Sequence, residues 1–279
     1  MYRKKFVVGN IEVAVGAWCP NSEAQQYGVS NWSLRPIQKQ RDVGGNPSLV
    51  AGIHSALCKM GVHKAFAPNV VLSSAQIVES SLLEDKIKLG EHASLYRKQN
   101  LPADGVFLGK RQAFVMSGAG CPVIIATAGE YMVVAHAGRD SLINRGVVIG
   151  EPNREYISVV HTIVKALHDR KVPIHEITMC MHFAIPTMMF EHRFDNPSYG
   201  SYNQALASLI NSRWPSGIRR KNNSSVFISL EDIFEEQARQ MGIREVWTGN
   251  SLSELPALAH THDGKDTRRR NLIVIKRCS

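Results

Sequence analysis

Apolar and polar positions alternate along this chain in short blocks, and the blocks predict the elements. A first strand is expected near Phe6–Gly16, followed by the long polar stretch "CPNSEAQQYGVSNWSLRPIQKQRDVGG". A loop of that length inside a domain is usually functional or mobile. A helix follows, with Asn46 as N-cap, Pro47 at its first position and Gly61 closing it; Leu49, Ile53, Leu57 and Met60 form its apolar stripe. "NVVLSSAQIVES" reads as a strand and "DGVFL" as another, followed by strands over about 113–117, 123–127 and 132–136. "EYISVVHTIVKALHDRK" predicts an amphipathic helix with Ile157, Val160, Ile163, Val164 and Leu167 inward, ended by Pro173. "IHEITMCMHF" reads as a strand and "YNQALASLINSRW" as a helix. "SLEDIFEEQARQMG" is a helix with Ser229 as N-cap and Gly242 as its stop; "REVW" and "NLIVIKR" are strands. Strands and helices mix without strict alternation. That predicts an α+β fold, and with no shift in composition it predicts one domain over residues 1–279.

Two stretches invite a membrane reading and do not sustain it. The opening "MYRKKFVVGNIEVAVGAWC" resembles a signal peptide, but Asn10 and Glu12 interrupt its apolar run. The uncharged stretch from Gln112 to Gly129 approaches the length of a membrane helix, but it holds Pro122 and three glycines, and Glu130 follows. Two buried strands joined by a turn at "AGEY" account for it better. Five cysteines form no CxxC pair, which suits a reducing compartment, and the expectation is a cytoplasmic protein.

The net charge of +9 changes the picture little. Basic triplets at Arg3–Lys5, Arg219–Lys221 and Arg268–Arg270 lie far apart in sequence, and no aromatic residues interleave with them. They read as scattered solvated ends of elements, which argues against a nucleic-acid partner.

The chemistry concentrates in "SGAGCPVIIATAGEYMVVAHAG", which carries Cys121 and His136. A lone cysteine in an apolar run is usually packing. Here glycine and alanine flank both residues and leave room for a ligand. Two chemistries use such a pair. A thiolate and two imidazoles hold zinc with one position open. Alternatively the histidine lowers the cysteine pKa and makes it a nucleophile, which needs an oxyanion hole and a partner that orients the imidazole. His260 and His262, or Cys180 and His182, lie two apart and would share a strand face, though core or surface strand is the simpler reading. His54 reads as a satisfied core histidine. GxGxxG after a strand, GxxxxGK[ST], GxSxG and HExxH are all absent.

The order of segments resembles the laccase-domain family, also called multicopper polyphenol oxidase or peptidoglycan-editing-factor-like proteins. "YGVSNWSL" and "RDVGGNPSLVAGIHSAL" are similar to its Gly-Val-Ser loop, aspartate and first helix. "ADGVFL" is similar to its Asp-Ala strand, "GAGCPVII" to its Thr-Ala-Asp-Cys-Pro-Val segment and "VVAHAGRDSLINRGVV" to its Ala-His-Ala-Gly-Trp-Arg-Gly segment. "EEQARQMGIREV" and "HTHDGKDTRRRNLIVIKR" match its closing helix and strand. The resemblance implies a single domain of mixed sheets packed with helices, a fold shared with bacterial toxin deamidases that use a cysteine and a histidine. It implies zinc held by one cysteine and two histidines, and purine-nucleoside chemistry, either phosphorolysis with phosphate as co-substrate or deamination. Cys121 and His136 would then be catalytic and metal-binding residues. Asp104, Gly138 and Arg139 would be substrate-binding candidates.

The sequence departs from that pattern where the site is built. Gln76-Ile77-Val78-Glu79 stands where the family has Gln-Val-His-Gly, so Val78 occupies the place of the third ligand. Glu79 would point to the opposite face of a regular strand. Gly120 replaces an aspartate, Arg139 and Asp140 replace a Trp-Arg pair, and His54 stands where arginine is usual. Three readings stay open: a divergent nucleoside enzyme, a metal-free Cys-His hydrolase or deamidase, and a non-catalytic binding descendant.

Overall fold

A computed structural model describes residues 2–18, 34, 47–70, 75–152, 157–249 and 270–278. The strands in chain order begin with β1 (Tyr2–Val8), β2 (Ile11–Trp18), β3 (Lys64–Phe66), β4 (Ile77–Glu79), β5 (Asp85–Lys88) and β6 (Ser94–Arg97). There follow β7 (Gly105–Phe107), β8 (Gln112–Gly118), β9 (Val123–Ala128), β10 (Tyr131–His136) and β11 (Thr178–His182). The last are β12 (Glu191–Arg193), β13 (Ile218–Lys221), β14 (Ser225–Ile228), β15 (Glu245–Thr248) and β16 (Asn271–Arg277). The helices are α1 (Pro47–Lys59), the single turns α2 (Arg139–Leu142) and α3 (Arg145–Val148), then α4 (Val159–His168), α5 (Gly200–Arg213) and α6 (Leu230–Gln240).

Among the described residues the strands form three sheets, in the orders β1-β2-β16-β8-β3-β6-β5, β15-β11-β9-β10-β7-β4 and β12-β14-β13. The first two are mixed: β3 runs parallel to β6 and β8, β11 to β15 and β4 to β7, and the remaining pairings are antiparallel. The architecture is α+β, as the irregular alternation predicts.

Strand periodicity explains the layering. On β8, Ala113 and Val115 face one way, into a cluster with Leu49, Ile53 and Leu57 of α1. Phe114 and Met116 face the other way, into the larger core shared with β9, β10 and β11. β16 repeats the pattern, with Leu272 and Val274 toward α1 and Ile273 and Ile275 toward the second sheet. β9 and β10 are buried along almost their whole length, which is why "VIIATA" and "MVVAH" are unbroken apolar runs. α4 packs on β4 and β10, and α6 on β11 and β15.

Several expectations need correction. The first strand is a hairpin, because Gly9 at φ 57 and Asn10 turn the chain between β1 and β2. "NVVLSSAQIVES" is not one strand: only Ile77–Glu79 is extended within a sheet, and Asn69 makes an isolated bridge to Pro102. Ile157 is 46% exposed, because Ser158 caps α4 through its side chain and leaves Ile157 outside the helix. His54 is not a core histidine; it is half-buried and meets the exposed Cys58 at 3.4 Å, one turn along α1. The rest of the α1, α5 and α6 readings hold, including the Ser229 cap and Gly242 at φ 87, while Asn46 lies outside the described residues. No helix among the described residues is long and apolar enough to cross a membrane.

Candidate active site

Cys121 sits where the chain passes from one large sheet to the other. β8 ends at Gly118 in the first sheet, β9 begins at Val123 in the second, and Gly120 between them takes φ 106. An aspartate at position 120 would be strained in that conformation, which gives the glycine a local reason. The backbone N–H of Ala137 donates to Pro122 O at 2.9 Å, and His136 pairs with Val123 across the hairpin. The register of β9 against β10 thereby brings Cys121 beside His136.

Asp104 precedes β7, the neighbour of β10, and the His136 N–H donates to the Asp104 carbonyl at 2.8 Å. The Asp104 side chain is fully buried. Its Oδ1 lies 2.9 Å from His136 Nδ1 and accepts from Ser141 Oγ at 3.0 Å. Its Oδ2 accepts from the Ala75 N–H at 2.6 Å, and Ala75 holds φ 45 to deliver it. With Nδ1 taken by Asp104, Nε2 is the nitrogen left for Cys121. A Cβ built on Gly138 would lie 2.7 Å from His136 Nε2 and 3.4 Å from Cys121 Sγ, so both reactive atoms face the space that glycine leaves.

The electrostatics follow from this geometry. Burial alone would lower the His136 pKa. Hydrogen bonds to Asp104 and Cys121, with their negative charges, outweigh it and push His136 up to about 10. Burial likewise opposes ionisation of Cys121, but the His136 hydrogen bond and charge, aided by Arg270, bring the thiol below its ordinary value. The pair is a thiol made more acidic by the histidine beside it, and that histidine is oriented by a buried carboxylate, the arrangement that activates a cysteine nucleophile.

The cleft around the pair is cationic and aromatic. Arg139 donates through Nε to Asp140 Oδ1 at 2.9 Å, and its guanidinium stands 5.0 Å from the Tyr202 ring centre, with Arg145 at 5.4 Å. Tyr202 Oη donates to Asp140 Oδ1 at 3.2 Å, and burial together with that carboxylate pushes the phenol up to about 12. Arg270, just ahead of β16, lines the same cleft.

The structure brings Cys121, His136, Gly138 and Arg139 to one cleft and places Asp104 behind it. Asp104, a substrate-binding candidate from the sequence, is here fully buried and holds the imidazole from behind. Val78 is buried in the core, and Glu79 turns away to an ion pair with Arg170. His182 is stacked on Phe6, its ring centre at 4.7 Å, and takes no part in the cleft. His260 and His262 lie outside the described residues.

Zinc sites take at least three protein ligands. Among the described residues no three of His, Cys, Asp and Glu converge on a point that would hold a metal ion. Cys121 and His136 are two donors, and Asp104 is spent on the far side of the imidazole. Among the described residues this donor set is one ligand short of a zinc site. Sequence reading missed Ser141, Ala75 and Tyr202. Ser141 had a signal, its place five residues after His136 in the first turn after "HAG"; Ala75 and Tyr202 had none.

No family model matches the sequence, and no curated protein is similar to it in sequence. Similarity appears in three dimensions. The chain is similar to the Neisseria meningitidis protein NMB0706 of family DUF152, with a TM-score of 0.64, 15% identity and 99% of each chain covered. It is similar to YlmD of Geobacillus stearothermophilus, with a TM-score of 0.64 and 14% identity over 97% of this chain and 92% of that one. The Bacillus licheniformis protein YfiH gives a TM-score of 0.62 and 12% identity over 95% and 92%.

Proposed function

We propose, for a chain that has the fold of the DUF152 laccase-domain proteins, that the site is a metal-free cysteine amidohydrolase centre acting on a small polar substrate. The observation that carries this reading is the 2.9 Å contact between Asp104 Oδ1 and His136 Nδ1, which directs Nε2 to the thiol. The thiolate of Cys121 attacks the carbon of a carboxamide or amidine. The C–N bond breaks, and the His136 imidazolium gives its Nε2 proton to the departing amine. Water then attacks the thioester or its imidate counterpart; its proton passes to His136, and the C–S bond breaks to restore the thiolate. Gly138 leaves room for the substrate beside both reacting atoms. Asp104 and Ser141 position the histidine.

A second reading, a purine-nucleoside enzyme with phosphate as co-substrate, draws support from Arg139, Arg145, Arg270 and Tyr199, which line the cleft and suit an anion and a planar ring.

Two measurements on one preparation separate them. Iodoacetamide is expected to label Cys121 first, at one site, with no added metal. Elemental mass spectrometry on protein purified without chelator is expected to find less than about one zinc per ten chains. Near-stoichiometric zinc that disappears in both Cys121→Ala and His136→Ala would overturn the metal-free reading, and so would a Cys121 inert to alkylation in the native protein.

A further inference from the structure

The basic triplet Arg3–Lys5 reads in sequence as an isolated solvated strand end, and the fold places it in company. Arg3, Lys4 and Lys5 of β1, Lys59 at the end of α1, Arg111 in the turn before β8 and Lys276 of β16 line one cleft of about 710 Å³. Lys4, paired with Val15, turns its side chain to the other face of the sheet, toward His182; the side chains of the other five cations, from four separate segments, gather in the cleft with Glu12. Lys5 Nζ lies 3.8 Å from Glu12 Oε2 with both side chains exposed, a contact that solvent largely screens. Arg3 and Arg111 make no ion pair among the described residues.

This cleft is separate from the Cys121 site. Arg111 and Lys276 lie at one end of the β8–β16 pair, while Gly118, Asn271 and Arg270 lie at the other, beside Cys121. Arg111 and Cys121 lie beyond opposite ends of β8, whose seven residues span about 20 Å.

Two details mark the cleft as built for charge. Lys276 Nζ donates to the carbonyls of Met60 and Gly61 at 3.1 Å each. Those carbonyls are the negative end of α1 and would repel an anion; Lys276 neutralises them and is held in place by doing so. Arg111 adopts φ 60 in a tight turn, a conformation glycine takes without strain and arginine does not. The chain thus carries a cation where a smaller residue would suit the backbone better.

We infer that this cleft binds a compact polyphosphate anion. The local charge exceeds what one phosphate offsets, and guanidinium and ammonium groups on several sides suit clustered phosphate oxygens. Among the described residues no tyrosine, phenylalanine or tryptophan lines the cleft for bases to stack on, and the cations surround one concavity instead of tracking along a groove. The site does not depend on the chemistry assigned to Cys121.

The test is calorimetric titration of the full chain with inorganic tripolyphosphate, orthophosphate and single-stranded RNA at low ionic strength. Tripolyphosphate is expected to bind one to one, at least about tenfold tighter than orthophosphate, and more weakly as salt rises. Arg3→Gln with Arg111→Gly should weaken it by about tenfold or more. Glycine relieves φ 60, so the fold is expected to survive, as thermal unfolding would verify. Arg220→Gln with Lys221→Gln, a distant basic pair, and Cys121→Ala should each leave the affinity unchanged. A nucleoside triphosphate binding more tightly than tripolyphosphate would assign the phosphates to a nucleotide tail, and equal affinity would assign them to the free anion. Equal affinity for one and three phosphates, an unaffected Arg3/Arg111 variant, equal loss in the distant pair, or RNA binding without tripolyphosphate binding would each overturn the proposal.

Discussion

Acid should unfold this protein through His182, and the size of the effect can be worked out. The imidazole is 2% exposed, stacked on Phe6 and edge-on to Trp247 at 5.4 Å between ring centres. Neither ring nitrogen has a hydrogen-bond partner. A side chain built on Gly249 would overlap the ring, so the backbone closes the cage. Burial, with Lys4 adding to it, lowers the His182 pKa to about 4 from its ordinary 6.5. The folded state therefore keeps His182 neutral while the unfolded chain takes up a proton. The stability this represents is complete above about pH 6.5 and is lost as pH falls toward 4. A shift of roughly 2.5 units corresponds to about 3 kcal/mol in full and about 2 kcal/mol near pH 5. Urea unfolding of the wild type and His182→Phe near pH 7.5 and pH 5 isolates the term. The wild type should lose about 2 kcal/mol more than the variant between the two pH values. Equal losses would refute the argument and mean that His182 reaches solvent or a partner when protonated.

Two further substitutions probe the Cys121 centre. Asp104→Asn removes the carboxylate that holds His136 protonated, so Cys121 alkylation near pH 6.5 should fall by about tenfold with the fold retained; an unchanged rate would show that Asp104 does not support the ion pair. Gly138→Ala places a methyl group 2.7 Å from His136 Nε2, and His136 is held by Asp104 and cannot easily yield; alkylation should drop sharply while circular dichroism stays unchanged, and normal labelling would mean the imidazole has freedom the geometry denies it.

The site was legible where its signals are local. "GAGC" and "AHAG" announce a cysteine and a histidine among small residues, and the β9–β10 hairpin that joins them follows from two apolar runs and a glycine turn at φ 53. That Val78 stands where the resembling family has its third ligand was also visible, and period-two alternation puts Glu79 on the other face from it. The role of Asp104 was not legible. It depends on β7 lying beside β10 and on an Ala75 N–H 29 residues away, and no local rule reports either.

What the sequence determined by itself is the longer helices, the central strands and most of their inward faces, since helix stripes, strand alternation, caps and glycine turns depend on near neighbours along the chain. The stripe of α1, the opposite-facing residues of β8 and β16 and the Ser229 cap all follow from it. Only the tertiary structure decided which elements meet. It buried His182 among aromatic rings, set a carboxylate behind His136, and gathered Arg3, Arg111 and Lys276 from opposite ends of the chain into one cleft. The physical reason is range. Backbone preference and periodicity act over a few residues, whereas burial and charge act between whatever the fold brings together, and they set the chemistry of groups whose sequence neighbours are unremarkable.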